Sequence, residues 1–351
     1  MKNLLIFLLL VSVACSKDDD KPDVTPPVVV EPPVPPVITP PTGNSKTKVI
    51  FDTDMNHDVD DLGAQAMVLN MEKAGRFDIV AMGASEAQNQ VRVIDAINEA
   101  YGRGNIPIGK QDYNWIRSNS DVPGWHGNYS SSEWTKSFLS QTSHNINPGN
   151  TDFAVNVYKR ALEGAPDKSV VILTMGQLSN VYQLMKKHPS LVERKVKLMV
   201  SMAGDFRNRM NVESNLNMYF RASNEVSRNF PAPVWFSGGV GGSVLSQKNV
   251  KNMNSNTVLK KGYEAFWKLS KYTRGYGQHH SADLMAVMIA FDMRPQIRLS
   301  KNQTIVFNNG KVTTNNNLPK YERKYLILDA VNNNDWNSLN ALVGEIDKWI
   351  K

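Results

Sequence analysis

The sequence predicts an α/β domain over residues 46–351, with a mostly parallel central sheet flanked by helices. Three observations carry that expectation. Short apolar, β-rich runs alternate with helical periodicities from Lys46 onward. No internal repeat or composition break divides residues 46–351, so one domain is expected rather than two. The composition is that of a folded chain, 41% hydrophobic and 21% charged with a mean hydropathy of −0.38, which excludes a disordered or collagen-like protein.

The expected strands are Lys48–Phe51, Phe77–Ala81, Ile106–Gly109, Val170–Leu173, Val196–Val200 and Val234–Phe236. Helical spacing fills the gaps: residues 91, 94, 97 and 101 form one apolar face, and Phe153–Leu162 and Leu178–Lys187 behave likewise. Near the C-terminus, Gln303–Thr313 reads as a hairpin around Asn309-Gly310. Tyr325–Asp329 reads as a further strand and Trp336–Ile350 as a closing helix. In open α/β sheets ligands collect beyond the carboxyl ends of the strands.

The first 45 residues are of another kind. Met1–Ala14 has one early lysine and then an apolar run ending in small residues, a signal-peptide layout too short to span a membrane. It ends at Cys15, the only cysteine, so no intrachain disulfide or cysteine-based zinc site exists and Cys15 is the expected lipidation point. Ser16-Lys17-Asp18-Asp19-Asp20 resembles the acidic export signal of bacterial surface lipoproteins, which implies an outer-membrane location. Nine of the 18 prolines lie between Pro22 and Pro41, giving an extended tether. Twenty such residues at about 3.1 Å each reach roughly 60 Å. The formal charge of +7 divides into −2 for residues 1–45 and +9 for the rest. No dense Lys/Arg run with interleaved aromatics occurs, so nucleic acid is not an expected partner.

The most informative segment is Val49–Gln65, VIFDTDMNHDVDDLGAQ, with aspartates at 52, 54, 58, 60 and 61 directly after the first strand. Carboxylates so crowded repel one another and resist ionisation unless a cation neutralises them. Oxygen-only donors favour Ca²⁺ or Mg²⁺. An EF-hand loop is excluded, because His57 and Gly63 stand where glycine and glutamate are required. A haloacid-dehalogenase-type phosphatase would use Asp52-Thr53-Asp54, but leaves the pair Asp60-Asp61 unexplained.

This pattern resembles the inosine/uridine-preferring nucleoside hydrolases, whose first strand leads into Asp-x-Asp, a short loop and Asp-Asp. Here these are Asp52-Thr53-Asp54 and Asp60-Asp61, with the loop Met55–Val59 two residues longer than in the best-known members, as in the family's lipoprotein-like branch. Val170–Val181 (VVILTMGQLSNV) resembles the family's strand-turn-helix element, and His280–Ala290 (HSADLMAVMIA) its last metal-binding helix. The resemblance spans nearly all of residues 47–350 and implies a nucleoside-hydrolase-like fold.

It further implies Ca²⁺ held by Asp54, Asp61, Asp283 and the carbonyl of Met175, with Asp60 as the general base. Such a reaction cleaves an N-glycosidic bond through an oxocarbenium-like sugar. A dication would activate the water and orient the sugar hydroxyls. Asn56 falls at a loop position near the ribose, and Asn211 matches a family asparagine that precedes a glutamate by six residues. In that register Asn217 replaces the glutamate and Tyr219 the asparagine that follows it by two. Ala282 stands where some members carry a leaving-group histidine; His280, or His279, is the expected substitute, and Trp125-His126 a loop able to approach a base. The substrate implied is a nucleoside or related glycoside, and the family commonly forms dimers or tetramers. The altered positions 217, 219 and 282 also admit a non-catalytic sugar- or nucleoside-binding lipoprotein.

Overall fold

The computed structural model describes residues 46–55, 58–86, 89–120, 132–206, 213–269, 277–300, 304–308, 311–315, 320–328 and 335–351. The expected signal, lipidation cysteine and proline tether lie outside them, as do Asn56, Trp125, His126, Asn211 and the turn Asn309-Gly310.

Eight strands form the central sheet in the order β3-β2-β1-β4-β5-β6-β12-β9. They are β1 (Lys48–Thr53), β2 (Asp78–Ala84), β3 (Ile108–Lys110), β4 (Val170–Thr174), β5 (Val196–Ser201), β6 (Val234–Phe236), β9 (Ile297–Leu299) and β12 (Arg323–Leu328). All neighbours run parallel except β12 and β9. Every strand expected from the sequence is present within a few residues of its reading. Short β7 (Leu245–Ser246) pairs antiparallel with β8 (His279–His280) away from the main sheet. The C-terminal hairpin is β10 (Thr304–Asn308) against β11 (Lys311–Asn315).

Alternating side chains sort onto the two faces of the sheet. Val49, Phe51, Val171 and Leu173 join the core under α1 (Asp60–Lys73), α2 (Gln90–Ala100), α10 (Val258–Leu269), α11 (Ala282–Phe291) and the C-terminal helix Trp336–Asp347. Ile50, Val170 and Ile172 join the opposite core, under α5 (Ala154–Glu163), α6 (Ser179–Lys187) and α9 (Phe220–Asn229). Arg323, wholly buried on β12, donates to the carbonyls of Ser227 (2.9 Å), Ala232 (2.8 Å) and Phe230 (2.7 Å). It thereby ties the late strand to the turn before β6.

The strand order reverses at β1 and β4. From there the chain winds outward through β2 and β3 on one side and through β5 and β6 on the other. A crevice opens at such a switch point beyond the strands' carboxyl ends. Helices α1 and α11 begin at this crevice and pack side by side, both buried on nearly all faces.

Candidate active site

The crevice is a cleft of about 480 Å³, a size suited to a small molecule. Its acidic wall is Asp54, Asp58, Asp60, Asp61 and Asp283; among the described residues Met175, Met202, Glu213, Ser214, Asn215, Gly242, Ser243, His280 and Ala282 also line it. Asp54 lies one residue past β1, Asp60 and Asp61 open α1, and Asp283 is the second residue of α11. Two helix N-termini therefore direct their positive ends at the carboxylates, a favourable arrangement for negative charge.

Backbone and side-chain donors fix these groups in place. The Asp283 amide donates to Asp60 Oδ2 at 3.2 Å, joining the two helix starts. The Asp60 amide donates to Asp58 Oδ1 at 3.1 Å. Thr53 donates its hydroxyl to Asp61. Gln177 donates to Asp54 Oδ2 at 2.8 Å, and Gln90 to the Asp54 carbonyl at 2.9 Å. The segment Met175–Asn180 thus clamps the end of β1, and Gly176 allows it: a β-carbon there would sit 2.6 Å from Asp54 Cβ.

Asp52 has a different role. Wholly buried, its carboxylate accepts from Tyr158 and from Asn180 (2.8 Å) and does not line the cleft. Burial pushes it up to about 7. A side chain so enclosed cannot serve as a phosphatase nucleophile, which removes the phosphatase alternative. Ser179 and Asn180 are buried members of this support.

The electrostatics of the cleft favour a cation. Burial, then repulsion from neighbouring carboxylates, holds Asp54, Asp60 and Asp283 well above the usual carboxylate range. Burial raises Asp61 to about 7, against the hydrogen bond from Thr53. Asp58 goes the other way: burial opposes its ionisation, but the Asp60 carboxyl and the His279 ring beside it hold it low. Oxygens of Asp60, Asp61 and Asp283 lie within 4.8 Å of one another, a spacing one metal ion can bridge. Asp54 faces the same cleft, and so does Met175, whose carbonyl accepts from Asn215 Nδ2 at 2.7 Å. This hard-oxygen donor set fits a divalent cation.

The structure brings together six of the residues singled out from the sequence: Asp54, Asp60, Asp61, Met175, His280 and Asp283. It does not bring Asn217 and Tyr219 there. Asn217 is exposed, and Tyr219 is packed in the core beneath α9. Glu213 and Asn215 line the cleft instead. They are a glutamate and an asparagine two residues apart, the spacing sought at 217 and 219 but one helical turn earlier. Glu213 accepts from the amides of Gly204 (3.1 Å) and Asn215 (2.8 Å), while burial raises its carboxyl. Glu86, outside the cleft lining, shares the Gln90 amide with the Asp54 carbonyl, and burial lifts it to about 8.

Fold and site together define the class: an α/β protein with a carboxylate cluster able to hold a cation in a small-molecule cleft. The chain belongs to the inosine-uridine preferring nucleoside hydrolase family, whose model matches residues 49–337, and so stands among the N-glycoside hydrolases. Many solved structures share its fold, three nucleoside hydrolases among them. A plant nucleoside hydrolase aligns at a TM-score of 0.64 and 16% identity, over 87% of this chain and 98% of its own. An inosine-uridine preferring nucleoside hydrolase from Bacillus anthracis aligns at 0.63 and 12%, over 87% and 100%. A purine-preferring ribonucleoside hydrolase from Gardnerella vaginalis aligns at 0.62 and 17%, over 87% and 99%. No curated protein matches the chain in sequence.

Proposed function

We propose that the protein hydrolyses the N-glycosidic bond of nucleosides or related ribosides in a Ca²⁺-dependent reaction with Asp60 as general base. The observation that carries this reading is the meeting of Asp60, Asp61 and Asp283 at the floor of the cleft. Asp54, Asp61, Asp283 and the Met175 carbonyl would hold the ion. When bound, the ion supplies Lewis-acid activation and orients hydroxyl groups.

The chain's own residues do the rest. Asp60 is aligned by the Asp283 amide, which donates to its Oδ2 at 3.2 Å. It takes the proton of the attacking water. Glu213, Ser214 and Asn215 present acceptors and donors to sugar hydroxyls. The His280 Nδ1 meets the carbonyl of Gly242, which can only accept, so Nδ1 carries hydrogen and Nε2 is the nitrogen that gains or loses a proton. That arrangement suits a leaving-group acid.

With Glu213 and Asn215 in the cleft, one motive for a purely binding protein falls away. The anchor at Cys15, the acidic flag and the proline tether support display at the cell surface, where salvage of extracellular nucleosides would follow. The test is a nucleoside panel assayed with Ca²⁺, with Asp60→Ala as control. Release of free sugar that depends on both Ca²⁺ and Asp60 is expected. Binding without sugar release, unchanged by Asp60→Ala, refutes the enzymatic reading.

A further inference from the structure

The wall of the cleft holds a second set of donors. Asp58, Asp60 and His279 each place a ligand atom within 4.8 Å of the others. His279 is 4% exposed, and among the described residues its Nε2 makes no hydrogen bond of standard geometry. A buried ring nitrogen left unsatisfied is uncommon and needs a physical cause, an ion among them. Its neighbour is Asp58 Oδ2 at 3.5 Å. That is too long for a good N–H···O hydrogen bond. It is the spacing expected of two ligands on one ion, because donors about 2.1 Å from a tetrahedral centre lie roughly 3.4 Å apart. The His279 ring is fixed edge-on against Phe266, with ring centroids 5.1 Å apart, and sits on the short β7–β8 pair. Asp58 is partly exposed, so an ion has a path from solvent.

Charge points the same way. Asp54, Asp58, Asp60, Asp61 and Asp283 are five carboxyl groups on one wall, and one divalent ion offsets two negative charges.

We propose that Asp58, Asp60 and His279 form a second cation site, beside the first and reaching the Asp60 carboxylate. One imidazole nitrogen and two carboxylates select a borderline metal such as Zn²⁺ over Ca²⁺. Asp58 lies in the extended loop after β1, so the longer loop supplies the added ligand. An ion here engages the Asp60 carboxylate and withdraws it from proton transfer, so occupancy of this site inhibits turnover. That last consequence alone rests on the hydrolase reading; the site itself does not.

The test is metal binding by the purified full chain, without substrate. Metal-free protein is saturated with Ca²⁺ and titrated with Co²⁺, with metal content measured by equilibrium dialysis and coordination by visible absorption. The expected result is one Co²⁺ per chain beside Ca²⁺, with the intense bands of a four-coordinate ion. His279→Gln and, separately, Asp58→Asn should weaken Co²⁺ binding at least about tenfold and leave Ca²⁺ bound. Asp283→Asn should weaken Ca²⁺ instead, which distinguishes failure at the first site from failure at the second. Circular dichroism checks that each variant is folded. A wild-type chain that takes up no second ion, or Co²⁺ uptake indifferent to both His279→Gln and Asp58→Asn, overturns the proposal.

Discussion

Gly176→Ala is the sharpest test of how the two motifs cooperate. A β-carbon at 176 would lie 2.6 Å from Asp54 Cβ, 2.8 Å from Asp54 Cγ and 2.5 Å from Ser85 Oγ. Ordinary contact begins near 3.4 Å, so Asp54 has to retreat by about 0.8 Å unless the Met175–Gln177 backbone moves. Either displacement would disturb the proposed cation cage, in which Met175 would supply a carbonyl and Gln177 holds Asp54 Oδ2. Overpacking of this kind costs about 1–3 kcal/mol of stability. A misplacement approaching 1 Å near reacting groups costs on the order of 10²-fold in rate. We therefore expect Gly176→Ala to fold with a lowered Tm, to bind Ca²⁺ at least about tenfold more weakly, and to lose about two orders of magnitude in kcat/KM. Calorimetric Ca²⁺ titration and nucleosidase kinetics on the same preparation measure all three. A variant with wild-type Ca²⁺ affinity and turnover would refute the claim that Gly176 sets the position of Asp54.

Three further predictions concern the same cage. Without metal, the chain should become more stable as pH falls from 8 to 6: the folded-state pKa of Asp61 is raised from 3.8 to about 7, so the native state takes up a proton that the unfolded chain does not. Metal reverses the trend, because protons compete with it; at 100 times its Kd it should add about 2.7 kcal/mol, or roughly 4 °C for about 300 residues, and more at pH 8 than at pH 6. Scanning calorimetry with and without chelator checks both signs, and a metal-induced shift that grows toward acid pH contradicts them. Asn215→Leu strips the side-chain donor from the carbonyls of Met175 and Met202 and should weaken the metal about 10- to 100-fold with about 1–3 kcal/mol lost in stability, read by denaturant titration and metal binding. Asp60→Asn should reduce kcat by about 10²- to 10⁴-fold while Ca²⁺ still binds, and an equal loss of Ca²⁺ would move Asp60 from base to ligand.

How far the sequence could be read depended on whether a residue's role was local. Asp54, Asp60 and Asp61 follow one apolar strand, and Asp283 opens one apolar helix, so each was visible in its own segment. Their convergence needed the fold: 222 residues separate Asp61 from Asp283, and only the side-by-side packing of α1 and α11 joins them. The partners of the second motif are equally tertiary. Nothing in MGQLSN announces that Gln177 will hold Asp54 and Asn180 will hold Asp52. The three-residue strand β9 was missed for a related reason: too short to show a period, it is defined only by pairing antiparallel to β12. Asn217 and Tyr219 fall outside the cleft for a different reason. The Glu-x-Asn spacing is present at 213 and 215, but a register counted from Asn211 falls on 217 and 219. Four residues are about one helical turn, some 6 Å along the axis. The slip therefore exchanged two cleft residues for an exposed asparagine and a core tyrosine. Asp58 was counted as one more acid of a cluster, because its partner His279 arrives from a strand 221 residues away. Spacing along the chain can give the number of carboxylates beside a ligand. Which of them share an ion is decided by what the other end of the chain sets against them, and at Asp58 that is an imidazole rather than another acid.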